Sequence, residues 1–76
     1  MSELLEYLAR QLVDQPDEVR VERVQDDDTV LLRLHVAQDD LGKVIGRQGR
    51  IARALRTIVR ACSAREQRRV QLEIVD

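Results

Sequence analysis

The segment that decides this fold is LGKVIGRQGRI, residues 41–51. Two glycines, Gly46 and Gly49, flank two long polar side chains, and glycine lets the backbone pass very close to a ligand because it carries no side chain. A helix that begins at Arg50 would direct its first amide groups at whatever covers the turn, and such groups favour an anion. The segment therefore predicts a tight turn that suits the phosphates of a nucleic-acid backbone.

The length and the apolar content indicate one small domain. The chain has 76 residues, of which 24 are valine, leucine or isoleucine, and we expect a single domain over residues 1–76. Phenylalanine and tryptophan are absent, which argues against RNA readers that stack bases on the aromatic residues of a sheet. So small a core is expected to be only moderately stable, which favours a homodimer.

The scarcity of cysteine and histidine limits the chemistry. One cysteine and one histidine make neither an internal disulfide nor a zinc site, so we expect no metal and no other cofactor. No apolar run approaches the ~20 residues that span a bilayer, and the N-terminus lacks the pattern of a secretory signal. We expect a cytoplasmic protein that does not enter a membrane.

Charge is divided unevenly along the chain. The net charge is −1, yet residues 1–40 carry −7 and residues 41–76 carry +6. A global basic excess, which is common in nucleic-acid-binding proteins, is absent, but a local basic surface beside the glycine turn is present. We therefore expect any nucleic-acid binding to be weak and sensitive to salt.

Periodicity predicts the elements of the first half. Leucines at helical spacing indicate a helix over residues 3–14, which ends before Pro16 because the residue before proline avoids helical angles. Alternating valines indicate a short strand at residues 19–22, and a second strand follows over residues 30–36. The three aspartates at 26–28 read as a solvated turn rather than a calcium loop, so the two strands should form an antiparallel hairpin.

In the second half, Asp39 and Asp40 open a short helix that ends near Ile45, with the acids at its positive end. A longer amphipathic helix is predicted over residues 50–63, and a third strand over residues 70–74. The element order is α-β-β-α-α-β, an α+β arrangement in which three strands form a sheet and three helices cover one of its faces.

Three isolated side chains are assigned to structure rather than to chemistry. His35 falls on the polar side of a strand and is expected to be exposed. Cys62 falls on the apolar stripe of the long helix, which predicts a buried, inert thiol. Tyr7 lies beside the apolar stripe of the first helix and is interpreted as a packing or interface residue.

The glycine segment resembles the I-G-x-x-G signature of KH domains, and the element order matches their type II, prokaryotic arrangement. The similarity extends along nearly the whole chain, to LVD at 12–14, Pro16, VRV at 19–21 and IARALR at 51–56. In these features the sequence resembles the KhpA family of small stand-alone bacterial KH proteins. The resemblance implies a type II KH fold.

This resemblance implies that the chain binds single-stranded RNA. In KH domains the turn clamps the backbone of about four nucleotides, and the bases lie in an apolar groove beside it. The RNA-binding residues it implies are Lys43, Ile45, Gly46, Arg47, Gln48, Gly49, Arg50 and Arg53. The glycines would allow close approach, Arg47 and Gln48 would reach phosphate and sugar, and the other basic residues would add charge, while Ile45 would form part of the groove wall.

The resemblance also implies partners. It implies a homodimer, pairing with a larger KH-containing protein of the KhpB (Jag) type, and a role in RNA regulation and in cell elongation or division. The sequence favours the helix over residues 50–63 as part of the dimer surface.

Two rival functions are weighed against RNA binding. In the first, the fold is a protein interaction or dimerisation module with weak or vestigial RNA binding, which the acidic first half favours. In the second, the protein is an enzyme, which is disfavoured because the sequence has no paired acid and base and no P-loop. For Arg56 and Arg60 a solvated helix face is slightly favoured over RNA contact.

Overall fold

A computed structural model describes residues 2–64 and 68–76. Its helices are α1 (Ser2–Leu12), α2 (Leu41–Ile45) and α3 (Arg50–Cys62), and its strands are β1 (Arg20–Gln25), β2 (Thr29–His35) and β3 (Arg69–Ile74). The predicted order and the α+β class are confirmed. The largest difference in boundaries is at β1, which continues to Gln25 because its backbone stays paired with β2 up to the hairpin turn.

β2 is the central strand of a three-stranded sheet with the order β1-β2-β3. β1 pairs with β2 in the antiparallel sense, with Val21 opposite Leu34, as the predicted hairpin requires. β3 pairs with β2 in the parallel sense, with Val30 opposite Val70. A parallel neighbour needs a long crossover, and the segment that contains α2, the glycine turn and α3 provides it.

The core lies between one face of the sheet and the three helices. Alternate residues of β2 are buried, and they contact buried residues from every helix: Val30, Leu32 and Leu34 from the strand, with Leu5, Ala9, Val44, Leu55 and Val59 from the helices. The period of two along β2 and the helical spacing along α1 and α3 place these side chains on facing surfaces. The predicted packing of three helices on one face is confirmed.

The opposite face of the sheet carries charged side chains that bridge all three strands. Arg33 Nη1 lies 3.4 Å from Glu22 Oε1, and Arg33 Nε lies 3.1 Å from Glu73 Oε1. His35 is half-buried on this face, with Nε2 3.3 Å from Glu22 Oε1, so it is more covered than the sequence predicts. Exposed ion pairs of this kind contribute little to stability. This face of the sheet is a polar surface and not part of the core.

The thiol of Cys62 is exposed, and the prediction of a buried thiol is wrong. The core-facing residues of α3 are Ala52, Leu55 and Val59. At about 100° per residue, Cys62 lies only about 20° around the helix from the buried Leu55, so its direction alone does not expose it. It is the last residue of α3, and it lies beyond Val59, the last core-facing residue of this helix.

The turn between α2 and α3 has a backbone that only particular residues adopt. Gly46 has φ 77° and ψ 172°, a region that is essentially restricted to glycine. A Cβ at Gly46 would lie 2.7 Å from Ile51 Cγ1 and 2.9 Å from the Ile51 nitrogen. Gly49 has φ 75° in the left-handed region, but a Cβ there would meet nothing within 4 Å. Gly46 is thus required by packing, while Gly49 leaves open space above the turn.

These two glycines are expected to differ in what they contribute to stability. Gly49→Ala should lower the free energy of unfolding by about 1–2 kcal/mol, the usual cost of a left-handed backbone for a residue with a Cβ. Gly46→Ala should cost clearly more, because the added methyl group also collides with the backbone of Ile51. Urea unfolding followed by circular dichroism measures both, and equal losses for the two variants would contradict this assignment.

Candidate functional site

The turn at residues 46–49 presents two long polar side chains to solvent. Arg47 and Gln48 are both exposed, and neither side chain forms a hydrogen bond or ion pair with another residue that the structure describes. Gln48 adopts the left-handed conformation at φ 57°, which is uncommon for a residue other than glycine. The turn therefore holds these two side chains outward on a backbone that is already fixed.

Hydrogen bonds within the turn occupy two of its amide groups. The Gly49 amide donates to the Gly46 carbonyl at 3.1 Å, and the Arg50 amide donates to the Arg47 carbonyl. The sequence predicts that the first amides of α3 face a ligand, and the Arg50 amide is already bonded inside the turn. One of the amides that the sequence predicts to face an anion is therefore occupied, and the arginine side chains beside the turn add positive charge.

Arg53 reaches back to the turn from the second turn of α3. Its Nη2 donates a hydrogen bond to the backbone carbonyl of Gln48 at 2.9 Å. A guanidinium has five donors, so one bond to the turn leaves others for a ligand. The structure thus brings Arg53 to the glycine turn, where it supports the left-handed residue directly.

Four exposed arginines form a strip along α3, which we call the basic strip: Arg50, Arg53, Arg56 and Arg60. At about 100° per residue these four positions fall within roughly 120° of the helix circumference. The strip begins at the glycine turn and runs to the last turn of the helix. It concentrates positive charge on one side of α3.

Beside the basic strip a groove of about 400 Å³ runs between α3 and β3. Arg56 and Arg60 lie along its α3 side, and Gln71 and Glu73 lie along its β3 side. Its apolar residues are Leu31, Val59, Val70 and Leu72. β3 is an edge strand, so this groove follows a strand that pairs with β2 on its other side. The resemblance implies an apolar groove beside the turn with Ile45 in its wall, whereas this groove lies between α3 and β3. Its place could not be predicted, because it depends on the parallel pairing of β3 with β2.

Two apolar residues flank the glycine turn itself. Ile45, the last residue of α2, is 37% exposed beside the turn and lies outside the groove between α3 and β3. Ile51 is half-buried and packs against Gly46. Ile45 is therefore accessible to a ligand at the turn, whereas the accessible part of Ile51 lies toward α1.

Lys43, the remaining predicted site residue, is held by two carboxylates. Its Nζ lies 2.7 Å from Asp14 Oδ2 and 3.3 Å from Asp40 Oδ1. Asp40 is 1% exposed and also accepts hydrogen bonds from the backbone amides of Asp14, at 3.3 Å, and Gln15, at 3.0 Å. Lys43 is close to the turn in sequence. Its side chain, however, lies between Asp14, which follows α1, and Asp40, which precedes α2.

Two members of this cluster, Asp40 and Lys43, have shifted pKa values. Burial raises the pKa of Asp40, but the hydrogen bonds from the Asp14 and Gln15 amides and from Lys43 outweigh it, so the pKa is lowered. Hydrogen bonds to Asp14 and Asp40 raise the pKa of Lys43. The stabilisation from the Asp40 carboxylate is therefore present at neutral pH and is lost as the pH falls through its folded-state pKa.

A second surface lies on the other side of α3, against α1. We call it the apolar patch, and it consists of Leu8, Leu12, Ile51, Ala54 and Ile58. Leu12 is 36% exposed and Ile58 is 37% exposed. At about 100° per residue, Ala54 and Ile58 lie on the opposite side of the core-facing line from the basic strip.

The described residues contain neither a cluster of metal-binding side chains nor a helix that could span a membrane. Residues 2–64 and 68–76 contain no group of three or more histidine, cysteine, aspartate or glutamate side chains placed to hold a metal ion. Within the same ranges, no helix combines the length and the apolar character that crossing a membrane requires.

Comparison with known proteins identifies the family. A sequence model described as KhpA/KhpB, KH domain, matches residues 2–74. The RNA-binding protein KhpA of Borreliella burgdorferi is 51% identical over 74 residues, which cover 97% of this chain and 90% of that relative. The RNA-binding protein KhpA of Clostridium acetobutylicum is 51% identical over 75 residues, which cover 99% of this chain and 100% of that relative. No solved structure gives a significant match.

The family match confirms the resemblance seen in the sequence. It spans both the glycine turn and the strands on either side of the crossover, and the observed α-β-β-α-α-β architecture is a type II KH fold. The chain therefore belongs to the KhpA/KhpB family of KH-domain proteins.

Proposed function

We propose that this protein binds single-stranded RNA by clamping its backbone at the turn of residues 46–49. The observation that carries the proposal is the basic strip, which begins at the exposed turn and lines the groove between α3 and β3 with Arg56 and Arg60. The names of the relatives, which are RNA-binding proteins, support it. The action requires binding alone and no catalysis, and for a bacterial RNA-binding protein its place is the cytoplasm.

In this clamp each residue of the turn has a separate part. The open space above Gly49 lets a phosphate approach the backbone closely. Arg47, Gln48 and Arg50 then reach the phosphate and sugar oxygens, and Arg53 supports the Gln48 carbonyl while adding charge. Gly46 acts through the shape of the turn, and Ile45 provides apolar contact beside it.

The bases occupy the groove between α3 and β3. Val59, Val70 and Leu72 give it an apolar floor, and Arg56 and Arg60 extend the positive charge along its side. Contact with the backbone and apolar groove residues carries little sequence information, so we expect weak base preference. One clamp on about four nucleotides should also bind weakly unless a second site is linked to it.

We further propose that a second copy of the chain supplies that linked site by docking on the apolar patch. Exposed apolar side chains from α1 and α3 adjoin there, and burying them against an identical surface removes them from water. Arg50 also lines this patch, at its edge, but Arg53, Arg56 and Arg60 lie on the other side of α3, so two clamps would stay open to RNA in such a homodimer. A KhpB-type KH domain, which shares the same family model, would use the same patch.

In this view the protein acts in post-transcriptional regulation, and through its KhpB-type partner in cell elongation or division. The second candidate function is an interaction module with vestigial RNA binding. It is favoured by the charge of −7 on residues 1–40, which opposes RNA, and by the engagement of Lys43 with carboxylates. The two functions differ in whether the turn at residues 46–49 is needed for binding: the RNA clamp requires it, and the interaction module does not.

The clamp is tested by the double variant Arg47→Asp, Gln48→Asp, in which aspartate tolerates the left-handed position. Its affinity for a labelled mixed-sequence single-stranded RNA should fall by about tenfold or more at low salt, because each hydrogen bond to a charged group contributes about 1.5–3 kcal/mol. Fluorescence anisotropy at two salt concentrations measures this, after circular dichroism confirms folding.

A matched control is Arg23→Asp, Gln25→Asp on the edge strand β1, which changes the same residue types and the same charge outside the clamp. We expect the control to lose much less affinity than the turn variant. If both variants bind RNA equally well, or the wild type does not bind, the interaction module becomes the better reading.

The dimer surface is tested at Ile58 rather than at Val59, because Val59 is 2% exposed and a charge there would unfold the core. Ile58→Glu should shift the protein to a folded monomer in sedimentation experiments, since it places a charge in the apolar patch. Thr57→Glu, one residue away on the basic side of α3, should leave the dimer intact. Dimers in both variants would exclude the patch as the interface.

A further inference from the structure

The carboxylate of Asp40 does not cap α2, although its position in the sequence suggests that it would. Asp40 directly precedes α2, where an aspartate normally accepts hydrogen bonds from the first amides of its own helix. No such bond forms. The carboxylate instead accepts the amides of Asp14 and Gln15, which lie 26 and 25 residues earlier in the chain. It joins the segment after α1 to the start of α2.

This junction is buried, and its parts depend on one another. A carboxylate that is 1% exposed needs a compensating charge, and Lys43 supplies it at 3.3 Å. Without the carboxylate, the Asp14 and Gln15 amides would lose their acceptor, and Lys43 would keep only its bond to the exposed Asp14.

The junction matters for the turn because α2 is too short to hold its own position. A helix of five residues is unstable alone, and its place is set by what it contacts. Besides its packing against α3, two residues anchor it: Val44, which is fully buried in the core, and Asp40 at its start. The Gly46 amide donates to the Gly42 carbonyl at 2.8 Å, so the glycine turn continues directly from this helix.

We infer that Asp40 and Lys43 are positioning residues of the RNA clamp. Together they fix α2 against residues 14–15 and thereby set the location of the turn at residues 46–49. Lys43 acts through its ion pair with Asp40 and does not contact phosphate. The inference rests on the proposed clamp, and it gives Lys43 a different part from the direct RNA contact that the family resemblance implies.

The first test uses the protein without RNA. Asp40→Asn keeps the size of the side chain and removes its charge, and Asp39→Asn makes the same change one residue earlier, at an exposed side chain. In ¹⁵N–¹H spectra, Asp40→Asn should shift the amide signals of residues 14–15 and of residues 47–50, whereas Asp39→Asn should leave those of 47–50 in place. A folded Asp40→Asn protein with unchanged turn signals would overturn the inference.

Lys43→Met gives a second variant, at the other end of the same ion pair, in case Asp40→Asn does not fold. This variant leaves the Asp40 carboxylate in place as the acceptor for the amides of Asp14 and Gln15. It removes the positive charge that compensates this carboxylate. It should also shift the turn signals, and unchanged signals would count against the inference in the same way. Because this comparison needs no RNA, it stands even if the proposed clamp fails.

The second test separates positioning from direct contact through the salt dependence of RNA binding. A phosphate contact contributes about 0.7 to the slope of log K against log salt for a single strand. Arg50→Met, which removes a proposed contact, should reduce the slope by about that amount. Lys43→Met should weaken binding by about tenfold, as expected when a buried charge loses its partner, with the slope unchanged.

Coupling between the two residues completes the test. If both act through one junction, the variant that combines Asp40→Asn with Lys43→Met should bind RNA no more weakly than Asp40→Asn alone. A shallower slope for Lys43→Met, together with additive losses in the double variant, would show that Lys43 contacts phosphate and would overturn the inference. Absence of salt-dependent RNA binding by the wild type would instead refute the clamp.

Discussion

The parallel pairing of β2 with β3 is the constraint on which the rest of this structure depends. Two parallel strands cannot be joined by a hairpin, so the chain must cross over the sheet between them. In 76 residues the crossover has room for one short helix, one tight turn and one longer helix. The same pairing places β3 at an edge beside α3, which creates the groove. The turn and the groove therefore have a common origin in the topology.

The helix α3 is shared among three environments. Its core-facing side holds Leu55 and Val59, one flank carries the basic strip, and the other flank contributes Ala54 and Ile58 to the apolar patch. A helix this amphipathic would be marginal alone, and burial of the core-facing side is what keeps it folded. Charge and apolar surface are thus largely separated around one helix, with Arg50 at the boundary between them.

Local features of the fold were predictable from the sequence, while features that join distant segments were not. The strand of residues 30–36 and the helix of residues 50–63 follow from period and composition, and the turn follows from its glycines. The exposure of Cys62 was mispredicted, because its place on the apolar stripe does not show that the core ends before the last residue of α3. The bonds from Asp40 to residues 14–15 were also missed, because an aspartate before a helix is normally a cap and nothing in its neighbourhood indicates a partner 25 residues away.

The left-handed conformation of Gln48 has a consequence for the kinetics of binding. Gly46 packed on Ile51 and the bond from Arg53 to the Gln48 carbonyl hold this residue in place before any ligand arrives. A ligand therefore meets a turn that has no rearrangement to complete, and its association rate is governed by diffusion and charge.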